Sequence, residues 1–277
     1  MKLLPVSIAI LVFSTVLFAA DGPNAAEKIT DVEAIVSKAN IVAYYQGNNG
    51  KAKVKMTITD KKGQARIREF IILRKDVKDG GDQMYYVYFL KPADVRKMVF
   101  MVHKHTDIEK DDDRWLYLPG LDLVKRIAAS DKRTSFVGSD FLYEDVSGRN
   151  LTEDIHELIE TTDKYFIVKN VPKKPDTVEF SYFDVWIDRK TFVPMKMNFY
   201  DKKEKLYRVI ESQKIEVIET GQGDKVQKFP TVVKSVVSNL NTGSKTEMEF
   251  FNVKYDIALK DIFTERYLRR PPKEAKR

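Results

Sequence analysis

The sequence predicts a mainly β protein with few helices, in which a single antiparallel sheet is strongly curved or partly closed; an incomplete barrel would leave a mouth that a helix and a flap can plug. From residue 51 onward, apolar and polar residues alternate with a period of two in one segment after another, which is typical of strands. Short turns rich in Gly, Asn and Asp separate these segments, so consecutive strands are expected to pair antiparallel. A long aromatic connector, residues 113–148, is predicted to cross the open sheet as a flap, because its apolar side chains must be buried to offset the cost of ordering it.

Residues 1–20 are predicted to be a secretory signal peptide that is cleaved after Ala20. Lys2 supplies a minimal positive charge, residues 3–18 form an apolar run, and small residues end it. An uncleaved membrane anchor is the alternative, although the run is near the short limit for a span. The chain has no cysteine, so a lipid-modified N-terminal cysteine is excluded, and we expect a soluble protein exported to the periplasm.

The mature chain, residues 21–277, is predicted to be a single domain with a disordered basic tail from about residue 271. The full sequence of 277 residues is 43% hydrophobic and 32% charged, which is typical of a globular protein. The net charge of +7 is spread along the chain rather than clustered. Together with export, this spread argues against nucleic acid as a partner and favours an ordinary solvated surface.

The first element is a helix predicted over residues 30–45. Thr30 and Glu33 fit a capping box, and the apolar residues that follow recur at helical spacing. The sequence GNNG at 47–50 ends the helix.

The strands follow in order. Residues 53–59 and 64–74 are predicted to form a hairpin, and 83–90 and 98–102 are apolar on both faces, so something must cover each side of the sheet there. One of those faces could instead meet a ligand. After a strand at 115–118 and the flap, residues 151–160 fit helix or strand, and the β-rich sequence that follows favours strand. Further strands are predicted at 165–168, 178–187, 193–199, 206–218, 229–237 and 246–255, which makes ten or eleven in all.

No catalytic constellation is recognisable, so the chain is predicted not to be an enzyme and to need no cofactor. Ser139 lacks the glycine spacing of a nucleophile elbow, and there is no glycine-rich phosphate loop. His103 and His105 share one face of a strand and could bind a metal, but a solvent-facing strand end explains them as well. The carboxylates of residues 111–113 are expected to be solvated.

Aromatic and methionine side chains on the predicted strands could form an ordinary core or line a cavity for lipid, since such side chains adapt to a variable apolar guest. The flap rings are expected to close over the apolar side of the sheet. Trp115, with Tyr117 on the same strand face, is expected to meet an acyl chain. The candidate ligand-binding residues of the cavity and flap are Tyr85, Tyr88, Phe89, Met98, Phe100, Trp115, Tyr117, Phe136, Phe141, Tyr143 and Trp186.

Several motifs resemble the outer-membrane lipoprotein-sorting (LolA-like) proteins. They are RWLYLP at 114–119, SFVGSDF at 135–141, YED at 143–145, VWID at 185–188 with Pro194, and DIFT at 261–264. The resemblance extends over most of the mature chain. It implies an unclosed antiparallel barrel with a helical lid, whose apolar concave side holds acyl chains, and the carriage of a lipid or lipoprotein across the periplasm. The central motif differs from that of the best-known carriers, so their acyl-binding residues are not transferred.

Three functions remain open from the sequence. The first is a soluble periplasmic carrier for lipid or lipoprotein acyl chains, which would bury them reversibly at about 0.8 kcal/mol per methylene, without a covalent step. The second is a regulatory or interaction domain that senses lipid on the same scaffold, and the third is a hydrolase or metal enzyme at the barrel mouth. For the carrier, the expected partners are an inner-membrane transporter and an outer-membrane acceptor, and the protein is expected to be a monomer.

Overall fold

The computed structural model describes residues 31–78 and 80–276, and a curled antiparallel sheet is its main feature. The expected signal peptide and its cleavage site lie outside the described residues. Within the described ranges, no helix has both the length and the apolar character needed to cross a membrane.

Thirteen strands and three α-helices make up the regular structure of the described residues. The helices are α1 (Val32–Tyr44), α2 (Tyr143–Ser147) and α3 (Arg266–Arg269). The strands are β1 (Asn49–Thr59), β2 (Ala65–Asp76), β3 (Gln83–Lys91), β4 (Val99–Lys104), β5 (Asp113–Leu118), β6 (Leu123–Arg126), β7 (Asp154–Thr161), β8 (Tyr165–Pro172), β9 (Phe180–Asp188), β10 (Pro194–Asp201), β11 (Leu206–Thr220), β12 (Gln227–Asn239) and β13 (Ser244–Tyr255).

All thirteen strands belong to one sheet, in the order β6-β5-β4-β3-β2-β1-β13-β12-β11-β10-β9-β8-β7. Every neighbouring pair is antiparallel, and the first and last strands pair in the middle of the sheet. The two ends of this order, β6 and β7, do not pair with each other, so the curled sheet stays open. This architecture confirms the predicted fold class, an unclosed and strongly curved antiparallel barrel.

The segment that joins β6 to β7, residues 127–153, is the flap. It connects the two edge strands of the sheet, so the polypeptide chain crosses the gap between β6 and β7, which do not hydrogen-bond to each other. The flap contains α2 and several single 3-10 turns. The sequence analysis treated 123–126 as part of this connector, but these residues pair with β5 as the edge strand β6.

Helix α1 begins two residues later than the predicted range of 30–45 and ends one residue earlier. Its N-cap is Asp31, whose side chain accepts a hydrogen bond from the backbone N–H of Glu33. The helix buries Ile35, Val36 and Ala39, and it contacts β12 on one side and β7 and β8 on the other. It therefore lies over the concave face as the predicted lid.

Strands β3 and β4 are covered on both faces, as their apolar sequences required. On the concave face they pack beneath the flap, around Phe136 and Phe141. On the convex face they pack beneath the C-terminal segment, through Phe263 and Leu268. The predicted disorder of the tail is wrong for residues 271–276, because Ala275 is fully buried in this convex cluster.

Candidate functional site

A cavity of about 410 Å³ lies between α1, the flap and the concave face of the sheet. Its volume falls within the range of roughly 300–1,000 Å³ that is usual for small-molecule sites. Aliphatic and aromatic side chains from β8 to β11 form one part of its wall, strands β1, β2, β12 and β13 and the flap form other parts, and α1 contributes Val36 and Ala39. The cavity is thus an apolar space under a helical lid.

The floor of the cavity is a cross-strand row of apolar side chains. Val168 of β8 pairs with Val185 of β9, which pairs with Met197 of β10, which in turn pairs with Ile210 of β11. All four line the cavity. Val168 is fully buried, whereas Met197 and Ile210 remain partly exposed because they face open space rather than another side chain. Such a row presents a continuous apolar surface to a guest.

An irregularity in β10 decides which methionine reaches this floor. Simple alternation would place Met195 and Met197 on the same face of the strand. The pairing of β10 with β9 shifts between Pro194 and Lys196, so Met195 is the extra residue of a bulge. Met197 therefore faces the cavity, while Met195 lies with Trp186 on a separate surface hollow.

Aromatic rings hold one side of the flap against the sheet. Phe136 is fully buried, and its ring lies 5.5 Å from Phe100, 5.6 Å from Tyr143, 6.0 Å from Phe89 and 6.1 Å from Phe70, measured between centroids. Edge-to-face and tilted pairs at these distances are favourable. The three rings of the flap, those of Phe136, Phe141 and Tyr143, pack on the apolar side of the sheet, as the sequence predicted.

The turn that follows Phe136 has an unusual backbone. Val137 has a φ of 51° and Gly138 a φ of 74°, so two consecutive residues are left-handed. A hairpin turn of this kind suits glycine at both positions, and a β-branched residue adopts it only at a cost in energy. The burial of the rings on either side of the turn offsets this cost.

Charged groups hold the other side of the flap. Glu144 is buried, and its carboxylate forms ion pairs with Arg133, with Lys132 at 3.2 Å and with Arg149 at 3.4 Å. Burial alone would raise the pKa of Glu144, but the charges of these three residues lower it to about 2 overall. The carboxylate is therefore the centre of a network in which each cation also has a second acidic partner.

These second partners tie the flap to the strands. Arg133 donates two hydrogen bonds to the carboxylate of Glu179, at 2.7 and 2.6 Å. Arg149 does the same to Asp154 of β7, at 2.8 and 3.0 Å. Both guanidinium groups lie over the ring of Phe180. Because their donors are engaged by carboxylates, these arginines do not offer a free site for an anion.

Two aspartates extend the contact to the middle of the sheet. Asp145 of the flap pairs with the buried Arg208 of β11. Asp140 accepts hydrogen bonds from Thr246 at 2.7 Å and from Ser244 at 2.5 Å, both on β13. The flap is thus anchored by apolar contacts on β2 to β4 and by polar contacts on β7, β11 and β13.

The end of α2 meets the end of α1 at Gly148. This glycine has a φ of 79°, and a Cβ atom placed on it would lie 2.7 Å from the ring of Tyr44. Nearby, the buried Lys104 donates a hydrogen bond of 2.8 Å to the backbone oxygen of Ser147, and burial lowers its pKa to about 8. The lid and the flap therefore touch where only glycine leaves enough space.

We expect Gly148→Ala to destabilise the fold by about 2–5 kcal/mol. The left-handed backbone costs an alanine about 1–2 kcal/mol, and overpacking against Tyr44 adds about 1–3 kcal/mol. Urea denaturation measures the loss, and Gly120→Ala is the control, since no atom lies within 4 Å of its added Cβ. A Gly148→Ala protein as stable as the Gly120→Ala protein would show that Tyr44 yields without cost.

The structure divides the candidate site residues into groups. Tyr85, Phe136 and Phe141 line the cavity. Phe89, Met98 and Phe100 lie beside it in the core beneath the flap, where the ring of Tyr143 packs on them from the flap, and these four residues hold the flap rather than line the cavity. The candidate list omitted Val185, Met197 and Ile210, although Met197 is one of the strand methionines expected to suit a lipid cavity and the alternation of Phe183, Val185 and Ile187 in β9 carried the signal for Val185.

The remaining candidates lie away from the cavity. Tyr88, Trp115 and Tyr117 are on the convex face, beneath the C-terminal segment. Trp186 lines the hollow that contains Met195. The expected contact of Trp115 with a ligand in the cavity is therefore not supported by its position, because both faces of β5 are covered and the sequence could not tell which one the cavity adjoins.

The two histidines are engaged by neighbouring groups. A ring nitrogen of His103 lies 2.8 Å from the backbone oxygen of Phe263, and His105 lies 2.9 Å from a carboxylate oxygen of Asp82. In the part of the chain that the structure describes, no group of three or more His, Cys, Asp or Glu side chains is arranged to hold a metal ion.

Comparison with known proteins finds a family that matches the chain and solved structures with a similar fold. A family model described only as an uncharacterized protein matches residues 81–270. The crystal structure of a DUF1329 family protein from Desulfovibrio piger ATCC 29098 is 29% identical, with a TM-score of 0.75, and the match covers 86% of this chain and 98% of that one. No curated protein matches the chain.

Two further crystal structures share the fold. A domain from Vibrio parahaemolyticus, assigned as an outer membrane lipoprotein-sorting protein, is 25% identical, with a TM-score of 0.73 and coverage of 86% of this chain and 97% of that one. A LolA superfamily protein from Nitrosomonas europaea is 16% identical, with a TM-score of 0.62 and coverage of 85% and 98%.

Proposed function

Because the chain belongs to this uncharacterized family and has a LolA-like fold, we propose that it is a periplasmic carrier that binds an acyl chain of a lipid or lipoprotein. The observation that carries the proposal is the apolar cavity between α1, the flap and the concave face. Each buried methylene of a guest contributes about 0.8 kcal/mol, so one chain suffices for reversible binding. The mechanism is burial and release, without a covalent step or a cofactor.

The proposed contacts follow from the cavity wall. Val185, Met197 and Ile210 form the floor on which the chain lies, and Tyr85, Phe136 and Phe141 meet it from the side of β3 and the flap. Release then requires α1 or the flap to move, because together they cover the concave face. A transporter in the inner membrane that loads the carrier and an acceptor at the outer membrane that unloads it complete the proposal.

We expect Met197→Trp to weaken the binding of a pyrene-labelled fatty acid by at least about tenfold. The indole occupies the floor of the cavity and displaces several methylenes of the guest, each worth about 0.8 kcal/mol. Met195→Trp is a matched control on the same strand, since the bulge turns Met195 away from the cavity. Fluorescence titration measures both affinities, and circular dichroism confirms that both variants fold.

The result can contradict the proposal in two ways. Equal affinity of the two variants would show that the fatty acid binds elsewhere, and the absence of binding by the unchanged protein would remove the carrier function itself. Trp115→Leu serves as a further control. Because Trp115 lies on the convex face, this change is expected to leave the affinity unaltered.

A further inference from the structure

The hairpin between β5 and β6 carries apolar side chains that no part of the described chain covers. Leu121 at its tip is 74% exposed, the largest value among the large apolar residues that the structure describes, and Leu123 is 46% exposed. Within the hairpin, Leu118 pairs with Leu123, so the tip is held by the sheet register. Two exposed leucines at one projecting turn are a feature of surfaces that meet an apolar partner.

The C-terminal segment joins this hairpin and brings positive charge to it. Arg269 donates hydrogen bonds to the side chain of Asp122 at 2.9 Å and to its backbone oxygen at 3.2 Å, and it lies over the ring of Tyr117. Residues 265–276 contain five Lys or Arg and two Glu. The segment is therefore a basic strip, fixed at one point to the leucine-bearing turn.

Most of this positive charge is unpaired. Lys125, Arg266, Arg270 and Lys273 are exposed, and none of them forms an ion pair with any residue in the described ranges. Elsewhere on the sheet, exposed lysines do pair with carboxylates, as Lys228 does with Glu219 at 3.1 Å. The nearby acids are Glu265 and Glu274, together with Asp122, which Arg269 already neutralises, so the surface is positive overall.

We propose that this surface, the docking patch formed by Leu121, Leu123, Lys125, Arg266, Arg270 and Lys273, binds an anionic phospholipid bilayer. Unpaired cations attract anionic headgroups, and apolar side chains at a projecting turn enter the interface between headgroups and acyl chains. The two features together favour a bilayer over an acidic protein, which would use the charge without requiring leucines at the tip.

Docking through this patch leaves the cavity uncovered. The C-terminal segment packs on the convex face, whereas the cavity lies on the concave face. Bilayer binding and acyl-chain binding are therefore separate events, and either can be lost without the other. The proposal goes beyond the carrier function and does not depend on it.

The test is co-sedimentation of the full chain with vesicles. The protein is expected to bind vesicles that contain phosphatidylcholine and phosphatidylglycerol, and to bind vesicles of phosphatidylcholine alone only weakly. Added salt is expected to dissociate the protein from the anionic vesicles, because it screens the charges. The triple variant Arg266→Gln, Arg270→Gln and Lys273→Gln is expected to bind at least about tenfold more weakly, since each cation near an anionic surface contributes on the order of 1 kcal/mol.

A control with the same change in net charge separates the patch from charge in general. Lys61→Gln, Lys62→Gln and Lys190→Gln remove three exposed cations away from the patch and are expected to change binding less than twofold. Leu121→Asp is expected to weaken binding as strongly as the patch triple variant. Equal losses in the two triple variants, equal binding to neutral vesicles, or retention by polyglutamate with no binding to vesicles would each overturn the proposal.

Discussion

Phe136→Ala is expected to destabilise the protein by about 3–5 kcal/mol, the range for truncating a fully buried phenylalanine. The Phe136 ring packs on three aromatic rings of the sheet beneath the flap, Phe70, Phe89 and Phe100, and on Tyr143 of the flap itself. Its removal leaves a void that the neighbouring rings cannot fill, because they are fixed by the strands. The flap should loosen with it, so acyl-chain affinity is expected to fall as well.

Chemical denaturation measures this loss, and Phe251→Ala is the matched control. Phe251 is 43% exposed, so its truncation is expected to cost no more than about 0.5 kcal/mol. Phe136→Leu keeps most of the buried volume and should recover much of the stability. A loss below about 1 kcal/mol for Phe136→Ala would mean that the flap is not held by its rings.

Glu144→Gln is expected to be equally damaging, at about 3–5 kcal/mol, because it leaves buried cations without their shared carboxylate. Arg133 is the most affected, since its guanidinium is buried and keeps only Glu179 as an acidic partner. The unfolding free energy at neutral pH is the measurement. Glu160→Gln, an exposed glutamate on the edge strand β7, is the control and should change little.

The same carboxylate predicts how stability changes in acid. The pKa of Glu144 is lowered from 4.5 to about 2, so its contribution is fully present above pH 4.5 and is lost as the pH falls towards 2. The shift corresponds to about 3 kcal/mol. Asp154 acts in the opposite sense, because burial outweighs its pairing with Arg149 and raises its pKa.

The difference between two proteins isolates the Glu144 contribution. The unfolding free energy of the unchanged protein, minus that of Glu144→Gln, is expected to shrink between pH 4.5 and 2, while the contribution of Asp154 cancels. A difference that stays constant over this range would show that Glu144 is not ionised in the folded protein.

The strands could be predicted from the sequence because their patterns are local. Alternation marked β1, β2 and β9 to β13, and the apolar content of β3 and β4 showed that both of their faces are covered. The bulge at Met195 could not be predicted, since it depends on how β10 pairs with β9. The packed tail was missed because its charges dominate the sequence, whereas Leu268 and Ala275 carry the contact.

The position of the cavity was the hardest feature to predict. Trp115 lies on a strand that is buried on both faces, and the flap and the C-terminal segment cover these faces from distant parts of the chain. Periodicity shows which residues share a face, but it does not show what covers that face. The cavity is defined by long-range contacts between α1, the flap and strands from both halves of the sheet, which no local pattern contains.

The pairing of β1 with β13 also bears on how the chain folds. Strands β1 to β6 and β7 to β12 form two halves of the sheet, and β13 is the strand that hydrogen-bonds to both. Of the thirteen strands it is the last to be synthesised, so the halves cannot join into one sheet until the other twelve strands have been made. Contacts of such long sequence separation slow folding. The newly made chain therefore stays incompletely folded for longer than a chain in which each strand pairs only with its neighbours in sequence.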